Sequence, residues 1–139
     1  MTNSTINHPD HYQADNDPFE CILLVEQYSF NWGNCMKYVW RHRRKGHPKE
    51  DLEKALWYAN RAAHNNEILR PAHLDIPSFI DPDKPTTLTS DYDAATLAHI
   101  KADATLPVSE NEACFWQSVA YENSSGAIEN ITALIKETK

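Results

Sequence analysis

Residues 33–61, GNCMKYVWRHRRKGHPKEDLEKALWYANR, constrain the chain most, because two helical apolar periodicities meet there at a corner of Gly46, His47 and Pro48. Proline lacks an N–H and suits only the first turn of a helix, whereas glycine reaches the left-handed conformation that ends one. The spacing predicts a helix from about Asn31 to Lys45, stopped by Gly46, and another opening at Pro48 with Glu50 and Asp51 at its positive end. So short a corner makes the two antiparallel neighbours, a helical hairpin. Trp32, Cys35, Met36, Val39 and Trp40 form the core face of the first helix, and Leu52, Ala55, Leu56, Ala59 and Ala63 that of the second. Trp57 and Tyr58 could stack on a base, but aromatic residues at this spacing are more often core, and Trp57 is assigned there.

The opposite faces carry the functional signal. Lys37, Arg41, Arg44 and Lys45 make a basic stripe on the first helix, and Asp51, Lys54, Tyr58 and Arg61 recur along a polar face of the second. A solvated charged face is the competing reading. Without acids interleaved in the stripe, like charges at helical spacing repel, which favours a bound anion as their reason. Asn34, after Gly33, adds backbone N–H groups at a helix start, where anions are favoured.

Around the hairpin, residues 1–16 read as an arm or loop. His8 and His11 could ligate a metal, but no clear third or fourth ligand accompanies them. The arm could instead fold over a ligand, bringing His11 and Tyr12 to a phosphate or base. Asp17-Pro18-Phe19-Glu20 predicts a capped helix running to about Ser29, buried on nearly all sides, with Glu20 completing the cap. Pro71, Pro77, Pro82 and Pro85 mark a linker. A short helix over about 90–103 follows, then a helix opened by the capping box Ser109 to Glu112 with Phe115, Trp116, Val119 and Ala120 inward. The last helix presents Ile128, Ile131, Leu134 and Ile135, a seam suited to a partner helix or a second subunit. No strand pattern emerges. The expected fold is all-α, a compact helical bundle built on the hairpin: residues 1–69 a core with its arm, 70–89 a proline-rich linker, and 90–139 C-terminal helices packing on the core or on another subunit.

Charge narrows the ligand. The net −7 divides into −5 over residues 1–36, +5 over 37–70 and −7 over 71–139. A protein that is acidic elsewhere and basic in one segment suits a compact anion better than a nucleic-acid backbone. With no apolar run of membrane length and no basic or apolar leader in MTNSTINHPDHYQ, a soluble cytoplasmic protein is expected. Cys21, Cys35 and Cys114 are scattered and odd in number, so buried free thiols are the default. Neither G-x-x-x-x-G-K-[ST] nor G-x-G-x-x-G occurs, and phosphate chemistry would fall to side chains. No cofactor is required by the pattern, although Glu20, Glu26, Glu50, Asp51 and Glu53 are raw material for Mg²⁺. The E-x-x-E and E-x-x-D clusters of all-α nucleotide pyrophosphohydrolases are not recognisable, which lowers that alternative.

The ordered series H-P-x-H-Y (His8, Pro9, His11, Tyr12), Glu20-Cys21-Ile22, G-N-x-x-K-Y-x-x-R (Gly33, Asn34, Lys37, Tyr38, Arg41), Lys45-Gly46 and D-L-x-K-A-x-W-Y (Asp51, Leu52, Lys54, Ala55, Trp57, Tyr58) resembles a small bacteriophage domain family of unknown function. Members of that family are often labelled nucleotide kinase. The resemblance spans roughly residues 7–65. It implies an oligomeric enzyme that moves phosphate onto deoxynucleoside monophosphates without a Walker loop, in an infected bacterial host. In that scheme Lys37, Arg41 and Lys54 neutralise phosphates, and Tyr38 or Tyr58 meets sugar or base. His11 or Asp51 moves the proton, while His8, Tyr12, Asn34, Lys45 and Arg61 complete the ligand contacts. The rival classes are a sponge that sequesters a nucleotide immune signal, such as a cyclic nucleotide, without turnover, and a DNA-binding hairpin, which the acidic balance disfavours.

Overall fold

In the computed structural model, which describes residues 17–44, 46–72 and 93–138, the corner forms as its residues dictate. Gly46 takes φ +77°, a conformation strained for any L side chain, and Pro48 occupies the first turn of the following helix. Among the described residues the chain is all-α. Helices α1 (Cys21–Val25), α2 (Phe30–Arg41), α3 (Pro48–His64), α4 (Ala94–Thr105), α5 (Glu110–Ala120) and α6 (Ser124–Glu137) succeed one another with no strand. No described helix is long and apolar enough to cross a membrane.

The α2–α3 hairpin is closed at both ends. Opposite the corner, α3 finishes in a Schellman turn: Asn66 takes φ 60°, its N–H donates to Ala63 O, and the Glu67 N–H donates to Ala62 O at 2.9 Å. This turn delivers the Glu67 carboxylate to the start of α2. There it accepts hydrogen bonds from Ser29 Oγ at 2.7 Å, from the Asn31 N–H and from Asn31 Nδ2. Trp32 Nε1 adds a 2.9 Å bond to Glu67 O. A carboxylate from elsewhere in the chain thus satisfies the open Asn31 N–H and faces the positive end of α2. The cap of α2 is therefore not Asn31 but Ser29 with Glu67, and α2 closes at Arg41, ahead of the expected Lys45.

One hydrophobic core joins all six described helices. Trp32, Cys35, Met36, Val39 and Trp40 are buried as their spacing predicts, and so are Leu52, Ala55 and Ala59. The stripe on α3 continues through Ala62, with Ala63 exposed. Trp57 is 60% exposed rather than in the core. Helix α1 is a short piece ending at Val25, with Ile22 exposed; it opens later than expected, with Glu20 as the cap residue and Asp17 engaged in ion pairs instead. Gly33 lets α2 pass α1 closely, since a Cβ there would stand 3.0 Å from Val25 O.

The C-terminal helices pack on this hairpin. Ser109 Oγ accepts the Glu112 N–H at 3.1 Å, completing the predicted cap of α5, and Trp116 meets Trp40 edge to face at 5.6 Å between centroids. On α6, Ala127, Ile131 and Leu134 are buried, and Ile128 and Ile135 lean against the same core. Of the two expected uses of this seam, a partner helix or a second subunit, packing on the chain's own core is the one seen among the described residues.

Candidate functional site

The hairpin places Tyr38 of α2 against Tyr58 of α3, with centroids 5.8 Å apart and planes 13° from parallel. Three cations surround the Tyr38 ring: Arg41 Cζ at 4.7 Å, Lys37 Nζ at 5.2 Å and Lys54 Nζ at 5.6 Å from its centroid. Each such contact contributes about 0.5–1 kcal/mol at an exposed site, which offsets the mutual repulsion of the cations without removing their field. Phe30 and Trp57 stand edge-on to Tyr58 at 6.2 and 5.1 Å and are both largely exposed, so the face offers aromatic surface beside positive charge.

Arg41 is not an unrelieved cation. Its Nη2 donates to Asp51 Oδ1 at 3.3 Å, and Asp51 is only 3% exposed. The other carboxylate oxygen, Oδ2, is buried without a hydrogen-bond partner among the described residues. Lys54 lies 3.7 Å from Glu50 one turn earlier, an exposed pair that contributes little. Asn34 Nδ2 donates to Phe30 O at 2.8 Å within its own helix, and Arg61 lies exposed one turn beyond Tyr58 on α3. The structure thus groups Lys37, Tyr38, Arg41, Asp51, Lys54 and Tyr58. His8, His11, Tyr12 and Lys45 lie outside the described residues.

The expectation that no acid interrupts the basic stripe is corrected in space. Asp51 meets Arg41, and Asp17 meets Arg44 with both oxygens, at 2.8 and 2.6 Å. Asp17 also accepts from Trp40 Nε1 at 3.3 Å and from Lys101 Nζ at 3.4 Å. Beside this cluster Arg43 Nη1 binds Glu112 Oε1, while Trp116 Nε1 donates to Glu112 Oε2 at 2.9 Å. His42, buried next to Glu112, bonds through Nδ1 to Val39 O at 2.6 Å. Burial pushes its pKa down, against the nearby Glu112 charge, which favours the neutral ring. A cavity of about 210 Å³ opens onto Asp17, Arg43, Arg44, Lys101 and Glu112. A second, of about 510 Å³, lies between His42, Ser109, Asn111 and Glu137. Neither is lined by Lys37, Tyr38, Lys54 or Tyr58.

Sequence reasoning missed this buried ionic cluster. Lys101, the one Lys or Arg between Lys84 and Lys136, falls on the same stripe of α4 as Leu97, Ala98 and Ala102, and a lone cation on an apolar face was the readable signal. The thiols conform to the buried default for Cys21 and Cys35, while Cys114 is exposed. Burial raises the Cys21 pKa to about 12 and that of Cys35 as well, so neither offers a thiolate near neutral pH. Among the described residues no three His, Cys, Asp or Glu side chains converge as metal ligands.

Residues 6–60, under half of the chain, match the model of a family described as a protein of unknown function, DUF3310. No curated protein and no solved structure matches the chain. The matched segment contains the motif series from His8 to Tyr58 and every described residue of the tyrosine face.

Proposed function

We propose that the chain binds a nucleotide on the face formed by Lys37, Tyr38, Arg41, Lys54 and Tyr58, and transfers a phosphoryl group to a deoxynucleoside monophosphate without a Walker loop. The observation that carries this reading is the stacked tyrosine pair ringed by three cations. Cations flanking exposed aromatic rings recognise the two halves of a nucleotide at once, charge for phosphate and π-surface for base. Phosphoryl transfer asks mainly for alignment and stabilisation of charge on the transferred group. The terminal P–O bond of a triphosphate donor breaks as an oxygen of the acceptor monophosphate bonds to that phosphorus, and the donor leaves as a nucleoside diphosphate that keeps the bridging oxygen. Asp51, whose Oδ2 is uncommitted among the described residues, takes any proton the acceptor carries. On this reading the protein works in the cytoplasm of an infected bacterium, as a homo-oligomer, with Mg²⁺ as an optional aid.

A second reading, sequestration without turnover, is favoured by one observation. Asp51 is buried behind Arg41, which suits a structural counter-ion better than a proton acceptor meeting substrate.

Incubating the purified chain with mixed nucleoside mono- and triphosphates and cyclic dinucleotides, with and without Mg²⁺, and resolving the products by ion exchange tests both. New diphosphate, lost in Lys37→Ala and Lys54→Ala variants that still fold, is the outcome expected of transfer. Stoichiometric retention of one intact nucleotide would replace transfer by sequestration, and pyrophosphate with monophosphate would replace it by hydrolysis. The absence of both retention and conversion would sink nucleotide handling altogether.

A further inference from the structure

Arg44 and Lys101 share one carboxylate. Arg44 grips both oxygens of Asp17, and Lys101 reaches Oδ1 of the same group at 3.4 Å. The Lys101 side chain is 6% exposed and lies 3.7 Å over the Trp40 ring. Next to them Arg43 and Glu112 already balance each other, and His42 contributes no charge in its favoured neutral form. Among the described residues, three cations therefore face two carboxylates around one cavity. Water reaches Arg43, 37% exposed, and Arg44, 21% exposed, so the charge removed from water is that of Lys101, whose pKa burial pushes down, and a counter-ion would relieve it.

The space for one is present. The cavity holds about 210 Å³, and the exposed residues Ala104 and Val108 are part of its lining. Pockets that enclose whole drug-sized ligands run to ~300–1,000 Å³, so a nucleotide is too large and a hydrated tetrahedral ion fits. Asp17 and Glu112 oppose an anion, but each is engaged by a cation, and donors remain beyond them. The Lys101 ammonium has three protons, and each guanidinium has five N–H groups, of which Arg44 directs one from each terminal nitrogen to Asp17 and Arg43 directs one from Nη1 to Glu112.

We infer that this cavity is an anion site for a small free oxyanion, of the class of inorganic phosphate or sulfate, held by Arg43, Arg44 and Lys101. The site shares no residue with the tyrosine face, and it stands or falls independently of nucleotide binding.

The test is calorimetric titration and thermal melting of the full chain with sodium phosphate and with sodium sulfate, against sodium chloride at equal ionic strength. Saturable one-to-one binding and a rise in Tm with phosphate or sulfate, but not with chloride, are expected. Lys101→Met removes the surplus cation and leaves Arg44 balanced by Asp17, so it should fold and lose affinity by at least ~10-fold, the scale of a charge-assisted contact. Ala104→Glu puts a carboxylate at the cavity wall, one turn along α4 from Lys101. It should raise Tm without phosphate and abolish the further rise with it. Lys54→Ala, on the tyrosine face, should bind phosphate like the unaltered chain. The inference is overturned if phosphate and sulfate act no differently from chloride, or if binding is lost in Lys54→Ala. Retention of binding by folded Lys101→Met overturns it too. Should Lys101→Met fail to fold, Ala104→Glu decides alone: binding undiminished in that variant removes the site.

Discussion

At position 67 a single carboxylate ties the exit of α3 to the entry of α2. Burial alone would raise the Glu67 pKa, but hydrogen bonds from Ser29, Asn31 and Asn65 outweigh it and hold the group below its ordinary value of 4.5. A carboxyl whose folded pKa is depressed stabilises the fold fully above its unfolded pKa and loses that contribution as pH falls through the folded value. Acid unfolding of the chain should therefore include a component below about pH 4.5 that disappears in Glu67→Gln. At neutral pH this substitution should cost about 1 kcal/mol, the usual scale of a lost helix cap. Melting curves from pH 3 to 7 would check both statements, and parallel curves for the two proteins would contradict the assignment.

Among the elements, α5 ends in the same kind of turn as α3, and here the residue in the left-handed position is poorly suited to it. Glu122 takes φ 58°, its N–H donates to Val119 O, and the Asn123 N–H donates to Ser118 O at 2.8 Å. Side chains other than Gly and Asn are strained there by about 1 kcal/mol or more. Glu122→Gly should accordingly stabilise the protein by about 1 kcal/mol, read as a shift in urea midpoint without a change in slope. The elements were legible in the sequence wherever apolar spacing and turn chemistry act locally: the hairpin, the Ser109 cap and the buried faces of α2 and α5 follow from neighbours within a few residues. Trp57 was misplaced because the tendency of aromatic residues to be core was set above its register; five residues past Leu52 it falls well off the buried stripe. The site was legible only in part, for a related reason. Tyr38, Lys54 and Tyr58 follow from helix register, whereas Asp17 meets Arg44 across 27 positions and Lys101 across 84, and no local pattern encodes such partners.

Across the whole molecule, that long-range cluster fastens the segment before α1 and the C-terminal helices to the hairpin. Asp17→Asn would leave Arg44 and Lys101 facing each other without their shared carboxylate, and unpairing buried charges typically costs about 3–5 kcal/mol. A loss of that size in chemical denaturation, against a far smaller one for the exposed pair partner Glu50→Gln, would confirm that the C-terminal helices and the hairpin hold together as one cooperative unit. Biphasic melting would instead point to two units. The burial pattern of the tryptophans gives a way to watch both events. Trp32, Trp40 and Trp116 are almost fully enclosed, and Trp57 alone of the four faces water, edge-on to Tyr58. The chain therefore carries a built-in pair of optical reporters. Red-edge emission accessible to acrylamide arises from Trp57 and should respond to a ligand landing on the tyrosine face, while the blue, quencher-resistant emission belongs to the interior and should shift only when the fold opens.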